Sequence, residues 1–213
     1  ETRLTEGQGV VSGPSWSPDG RRLAFAVSKV TLRLDAPAYS GAKILYTRVD
    51  HEPSAPAYVA ATGGKITLLP PSPGWEAVPM WLDSSRLLVH RVLADNRTRE
   101  LLVADVTSGA TKVIYREVDP TFWSLPFVAP DPAASPDGKW VAFVSDRDGW
   151  DHLYVVSTSG GEPQQLTKGQ YEVRSLAWSP DSTRVAFDRS LEAKAGVRHL
   201  AVATIAGGGT TQV

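Results

Sequence analysis

The sequence predicts an all-β fold in which a four-stranded antiparallel unit repeats about four times. Three observations carry this reading. Short apolar runs rich in β-branched and aromatic residues, as at 139–145, 152–157 and 163–167, alternate with turns made of Gly, Asp, Ser and Pro, the pattern of hairpin-linked strands. A corner of the type Trp-Ser-Pro-Asp-Gly stands in front of an apolar strand at four places: Trp16 to Gly20, the degraded copy Trp81 to Ser84, Ser135 to Gly138, and Trp178 to Ser182. The aspartates of these corners, Asp19, Asp83, Asp137 and Asp181, are 64, 54 and 44 residues apart. The shortest spacing is that of one propeller blade, about 40–45 residues, and the longer ones require insertions.

The corner has a physical basis. Proline sets φ near −65° for the first bend, the aspartate carboxylate caps local amides, and glycine takes the left-handed position without steric cost. Ser84 and Ser182 replace that glycine in two copies, which predicts a looser or strained corner there.

In chain order, the first blade (about 6–70) has an inner strand at 11–16, a second at 22–28, a third at 57–60 and an outer strand at 65–69. This leaves 30–54 as an insertion with one extra strand at 43–49. It reads either as a covering flap or as a functional loop. The second blade (about 71–117) has strands at 77–81, 86–92, 99–105 and 111–115. A Pro-bounded aromatic connector at 119–126 then either packs between blades or reaches a central cavity. The third blade spans about 127–168. The fourth, about 170–213, has strands at 173–178, 184–188 and 199–203 and ends where its outer strand is due. Residues 2–5 resemble an outer strand of a preceding blade. Two outer-strand-like ends leave no obvious seal for a closed four-bladed ring, so the chain reads as part of a larger one of six to eight blades. It begins with Glu1 rather than Met, and so reads as a trimmed or excerpted chain.

Composition excludes several classes. Net charge is −1 and no basic stripe interleaves with aromatics, so nucleic acid is not an expected partner. No apolar run approaches the ~18 residues of a membrane span, and no membrane partner is expected. With no cysteine there are no disulfides or thiolate metal sites, and the compartment stays open.

The search for chemistry returns no catalytic residue. Gly13-Pro14-Ser15-Trp16-Ser17 approaches Gly-x-Ser-x-Gly but fails at its last position and lies in a strand. Asp146-Arg147-Asp148-Gly149-Trp150-Asp151 places carboxylates near a glycine, as a calcium loop does, but lacks the closing bidentate Glu of the 12-residue loop. A hairpin turn with acidic corners explains it equally, with Trp150 covering the turn and His152 as a hydrogen-bonded structural residue. His51, His90 and His199 lack paired metal-ligand spacing, and Glu172 and Glu192 read as surface carboxylates. No metal and no cofactor is expected, and the substrate-binding residues stay unknown.

The run from Ser135 to Glu172, with Ser-Pro-Asp-Gly, Asp-Arg-Asp-Gly-Trp-Asp-His-Leu-Tyr, Gly160-Gly161 and Gln165-Leu166-Thr167, resembles the propeller of the prolyl oligopeptidase family of serine peptidases. The likeness is to its dipeptidyl peptidase IV and acylaminoacyl peptidase branches. The Pro-Asp and Gly-Gly turns are also similar to the TolB-type repeat. The resemblance implies a non-catalytic propeller that gates access of peptide substrates to an α/β-hydrolase domain outside this chain. The dipeptidyl branch holds the substrate amine with a Glu-Glu pair, and none occurs here. The alternative is a stand-alone TolB-like propeller that binds protein partners. A weaker third reading is a carbohydrate- or lactone-active propeller with a metal in its tunnel.

Overall fold

The computed structural model describes residues 4, 9–28, 30–35, 46–51, 55–70, 74–76, 79–119, 130–191, 194–206 and 210–212. Among these there is no helix. Alternating apolar runs form nineteen strands: β1 (Val10–Trp16), β2 (Arg22–Ser28), β3 (Val30–Asp35), β4 (Tyr46–His51), β5 (Ala55–Ala60), β6 (Thr67–Leu68), β7 (Gly74–Glu76), β8 (Met80–Trp81), β9 (Arg86–Leu93), β10 (Thr98–Asp105), β11 (Thr111–Val118), β12 (Ala133–Ala134), β13 (Trp140–Ser145), β14 (His152–Ser157), β15 (Gln164–Gln165), β16 (Val173–Trp178), β17 (Arg184–Leu191), β18 (Lys194–Thr204) and β19 (Thr210–Gln212). Seventeen of them pair as four antiparallel sheets: β1-β2-β5-β6, then β7-β9-β10-β11 with β8 also on β9, then β12-β13-β14-β15, then β16-β17-β18-β19, and β3 and β4 pair with each other. The four sheets are blades one to four of an incomplete propeller.

The structure corrects the sequence reading in three places. The insertion of blade one contains a two-stranded ribbon, β3 on β4, where one strand was expected; residues 43–45 of that expected strand lie outside the described residues. The inner strand of blade two is broken into β7 and β8, both held by β9. The outer strand of blade four is present as β19, paired to Ala201, Val202 and Ala203. Of the 2–5 segment only Leu4 is described and it carries no strand. All but one residue of the 119–126 connector lies outside the described set.

Three corners share one hydrogen-bond pattern. Asp19, Asp137 and Asp181 each accept from the hydroxyl of the serine two residues before, at 2.6 Å, and from the amide two residues after, at 3.1 Å. The serine hydroxyl also accepts the amide that opens the next strand, as Ser17 does from Arg22 (2.9 Å) and Ser135 from Trp140 (2.9 Å). The serine thus closes the corner alongside the aspartate, a role the Pro-Asp-Gly reading missed. These bonds to the ionised form hold all three carboxyls below the usual range, Asp181 at about 2. Blade two makes its corner with one residue fewer, Asp83 bonding Ser85 and Arg86. At Ser182 φ is +60°: this corner is the strained one, and Ser84 is not left-handed.

The apolar core lies between blades. Leu88, Leu101, Val103 and Ile114 of blade two pack on Val141, Phe143, Tyr154 and Val156 of blade three. The other face of blade three, with Val144, Leu153 and Val155, meets Val173, Val185, Phe187 and Ala201 of blade four. Alternation along β13 and β14 sends successive side chains to opposite faces, so one blade serves two cores.

Candidate functional site

The charged residues cluster at the end of the blades that carries the β9–β10 and β13–β14 hairpins. In blade two, Arg99 on β10 is buried and its side chain points across the interface. It donates from Nη1 and Nη2 to the Val144 carbonyl (2.9 and 3.0 Å) and from Nη2 to Glu117 Oε2 (2.7 Å), with its guanidinium 5.4 Å from the Phe143 ring centre. Glu117 also accepts from the Ser145 hydroxyl at 2.5 Å, and Arg147 lies 3.4 Å from it. The Arg147 guanidinium sits over the Tyr154 ring at 4.3 Å and the Tyr115 ring at 5.3 Å, and it donates to the Tyr115 hydroxyl. A buried charge is tolerated only when paired and hydrogen-bonded, and this cluster meets that condition.

The cluster borders a cleft of about 600 Å³ running along β11, lined by Tyr115, Arg116, Glu117, Arg147 and Glu162. Burial, and then the Glu117 charge, raise the Tyr115 hydroxyl; burial, and then Asp148, push Tyr154 up to about 12. Both phenols are therefore neutral donors. His90, on the same interface, is lowered to about 3 by burial and then by the Arg99 charge, so its ring is uncharged at neutral pH.

On the other face of β10, Glu100 is fully buried and accepts from Arg91 Nε (2.7 Å) and Arg116 Nε (2.6 Å). Between blades three and four Arg174 pairs with Asp151; within blade four Arg174 also reaches Glu172 Oε2 at 3.4 Å, and Arg198 pairs with Asp188. Sequence reasoning passed over these arginines because a charge run has the same signature on a solvated face and in an interface.

The residues singled out from the sequence fall into place around this network. The Asp146–Asp151 carboxylates diverge: Asp148 accepts from Gln165 (2.7 Å), Asp151 holds Arg174, and burial raises Asp146. Trp150 is exposed at the turn. His152 is buried, with Nε2 3.0 Å from the Gly169 carbonyl, to which it must donate, and Nδ1 3.1 Å from the Thr167 hydroxyl. That hydroxyl accepts from the Leu153 amide, so it donates to His152 when the ring is neutral. His90 is buried in the blade two–three interface. His199 is on β18, and His51 is on β4. Ser15, in the near-miss motif, lies within β1, and Glu192 lies outside the described residues. Among the described residues no group of three or more His, Cys, Asp or Glu is placed to share a metal ion. Ser145 gives its hydroxyl proton to a carboxylate and not to an imidazole, so it is not arranged as a nucleophile. The network can fasten blades and present charged and aromatic groups to a ligand in the cleft.

Radial antiparallel sheets, corner-linked and packed face to face, define the chain as a propeller domain. The model of the dipeptidyl peptidase IV (DPP IV) N-terminal region matches residues 77–211, and the chain belongs to that family. A probable dipeptidyl peptidase 4 of Emericella nidulans is 32% identical over 119 residues, which cover 51% of this chain and 15% of that protein. The solved dipeptidyl peptidase 4 of Porphyromonas gingivalis superposes with a TM-score of 0.68 at 17% identity, over 93% of this chain and 30% of that one. A TolB candidate of Agrobacterium tumefaciens gives 0.54 at 17% identity, over 98% of this chain and 82% of that one. The two structural likenesses speak for the fold alone. The chain spans less than a third of the dipeptidyl peptidases it matches.

Proposed function

We propose that this chain is the non-catalytic propeller portion of a serine peptidase of the dipeptidyl peptidase IV type, and that it gates access of peptides to an α/β-hydrolase domain elsewhere in the same polypeptide. The observation that carries the reading is the family match over 77–211. The physical argument is one of rigidity. A gate that excludes folded proteins must not open by separation of its blades, and the Arg99–Glu117–Arg147 network with the flanking apolar cores resists that separation.

The test uses the full-length polypeptide. It is expected to cleave dipeptidyl p-nitroanilides and to react with a fluorophosphonate at a serine outside residues 1–213. Loosening the blade two–three boundary with Arg86→Met, which removes a 3.0 Å bond to the Gly138 carbonyl, is expected to raise kcat/KM for long polypeptides relative to the dipeptide substrate. Unchanged size selectivity overturns the gating role.

The extent of the TolB superposition favours one second reading, a stand-alone propeller that binds protein partners. A full-length polypeptide with no fluorophosphonate-reactive serine decides for it.

A further inference from the structure

The outer strands of the four blades differ in length. β6 and β15 have two residues each and β19 has three, whereas β11 has eight. An outer strand leaves one row of main-chain donors and acceptors unpaired, and a short strand keeps that row small. Among the described residues no strand pairs with the outer side of β11. The register fixes which groups form the row. The Asp119 amide donates inward to the Arg97 carbonyl at 2.8 Å, and β10 places Thr98 opposite Val118 and Arg99 opposite Glu117. Main-chain direction alternates along a strand, so Tyr115 and Glu117 turn to β10 while the N–H and C=O of Arg116 and Val118 turn outward. Val113 and Val118 are exposed on the same strand.

This edge runs along the cleft between β11 and the 161–163 segment of blade three, and the charges around it are unbalanced. On the face towards blade three, Arg99 and Arg147 share one carboxylate, Glu117. On the opposite face, Arg91 and Arg116 share one, Glu100. Each set carries one positive charge in excess, and the excess is accessible at Arg147 and Arg116, whose side chains are 35% and 60% exposed. Arg147 directs Nε at the Ser145 hydroxyl and Nη2 at the Tyr115 hydroxyl, and its Nη1 has no acceptor among the described residues. Besides Glu117, the cleft lining carries one carboxylate, the exposed Glu162.

We propose that the outer edge of β11 and the cleft beside it bind an extended, acidic segment of another protein by strand addition. The main chain of the segment pairs with Arg116 and Val118. A carboxylate on one side of it accepts from Arg147 Nη1, and side chains on the other side meet Arg116. Strand addition takes its affinity from the main chain and its selectivity from alternate side chains. Basic residues on an edge repel a basic strand and admit an acidic one, and a second copy of this chain would bring the same positive excess to the edge. The proposal is independent of any peptidase activity.

The test uses the full-length polypeptide and a fluorescein-labelled peptide in which valine alternates with glutamate. Binding is read by anisotropy, and amide exchange over 111–118 by mass spectrometry. Saturable binding is expected. Arg147→Met is expected to weaken it about tenfold through loss of a bond between charged groups. Val118→Pro removes one outward N–H and leaves the β10 ladder intact, for an expected loss of about fivefold. Glu162→Gln is expected to tighten binding. The Arg116 and Val118 amides are expected to exchange fast in the free protein and slowly with peptide bound. No saturable binding, or equal binding of the same peptide with lysine in place of glutamate, overturns the proposal. Full affinity in Val118→Pro overturns strand addition. Amides already protected in the free polypeptide overturn the external partner: protection lost on dilution assigns the edge to a second copy, and protection that persists assigns it to a segment of the same chain.

Discussion

The two faces of blade three are closed by different physics. Towards blade four the boundary is an apolar core built around Phe187, Val155, Leu153 and Tyr171, with its ion pairs, such as Arg174–Asp151, at the hairpin end. Towards blade two a comparable apolar core continues into buried charge, with Arg99 and Glu117 only 5% and 10% exposed at the side chain. Non-directional apolar contact tolerates small displacements, whereas a guanidinium shared between a carbonyl and a carboxylate fixes register as well as separation. One boundary is held by area, and the other by area and geometry together.

Substitutions can break or sharpen that contrast. Phe187→Ala removes the largest fully buried side chain of the apolar boundary, and an unfolding midpoint in urea is expected to report a loss of about 3–5 kcal/mol. Arg99→Met at the ionic boundary leaves Glu117 buried without its main partner and is expected to cost a similar amount, about 3–5 kcal/mol. The two then separate by environment. The Arg99→Met loss shrinks when Glu117→Gln is added, since the uncompensated charge is gone, whereas Phe187→Ala and Glu117→Gln simply add. Additivity in both pairs would remove the distinction drawn here.

Gly138→Val acts on the ionic boundary through the backbone. Gly138 has φ +67°, and a Cβ there would stand 2.6 Å from the Leu82 carbonyl of blade two. Left-handed strain and a clash with main chain add to an expected loss of about 2–4 kcal/mol, measured by the same denaturation. Gly20, with φ +68° and open space, is expected to lose less on the same change.

The acid side of the stability profile is expected to carry the signature of His90. Its folded value near 3 lies below the ordinary 6.5, so between those limits the unfolded chain binds the proton and the folded one does not. Stability therefore falls as pH drops below 6.5 and this contribution levels off near 3; at pH 5 the loss is about 2 kcal/mol relative to neutral pH. His90→Leu is expected to flatten that window, as seen in thermal melts from pH 7.5 to 4. The corner aspartates add a separate decline at lower pH, because their depressed values make the ionised form the stabilising one.

The smallest effect is expected at the apolar boundary's corner. Ser182→Gly relieves φ +60° but removes the hydroxyl that accepts the Asp137 amide at 3.0 Å. Strain relief and one lost hydrogen bond are each about 1 kcal/mol, so the net change is expected to stay within about 1 kcal/mol.

Much of the fold was legible because strands and turns are local. The Trp-Ser-Pro-Asp corner names its own hydrogen bonds, and the apolar runs at 86–92, 140–145, 152–157 and 173–178 reappear as strands. The misses have local causes too. β3 reads as polar-apolar alternation in an insertion with no repeat to anchor it, and β19 is a three-residue strand behind three glycines, held by its pairing with β18 rather than by propensity. The candidate site was hardly legible at all. Arg99, Glu117 and Arg147 stand in three different segments, and nothing in their spacing says that they meet.

What the chain alone determined is the repeat: the β-branched runs, the positive-φ corners and the period that makes each sheet a radial unit, all written within a few residues of one another. What only the tertiary structure decided is which side chain crosses to which neighbour. Arg22 and Arg86 reach forward to main-chain carbonyls of the next blade, Trp81 and Trp178 reach back to those of the preceding one, and Arg99 is buried because sheets distant in sequence are stacked at core-packing distance. Those contacts depend on the separation and register of whole sheets, quantities that no single segment encodes.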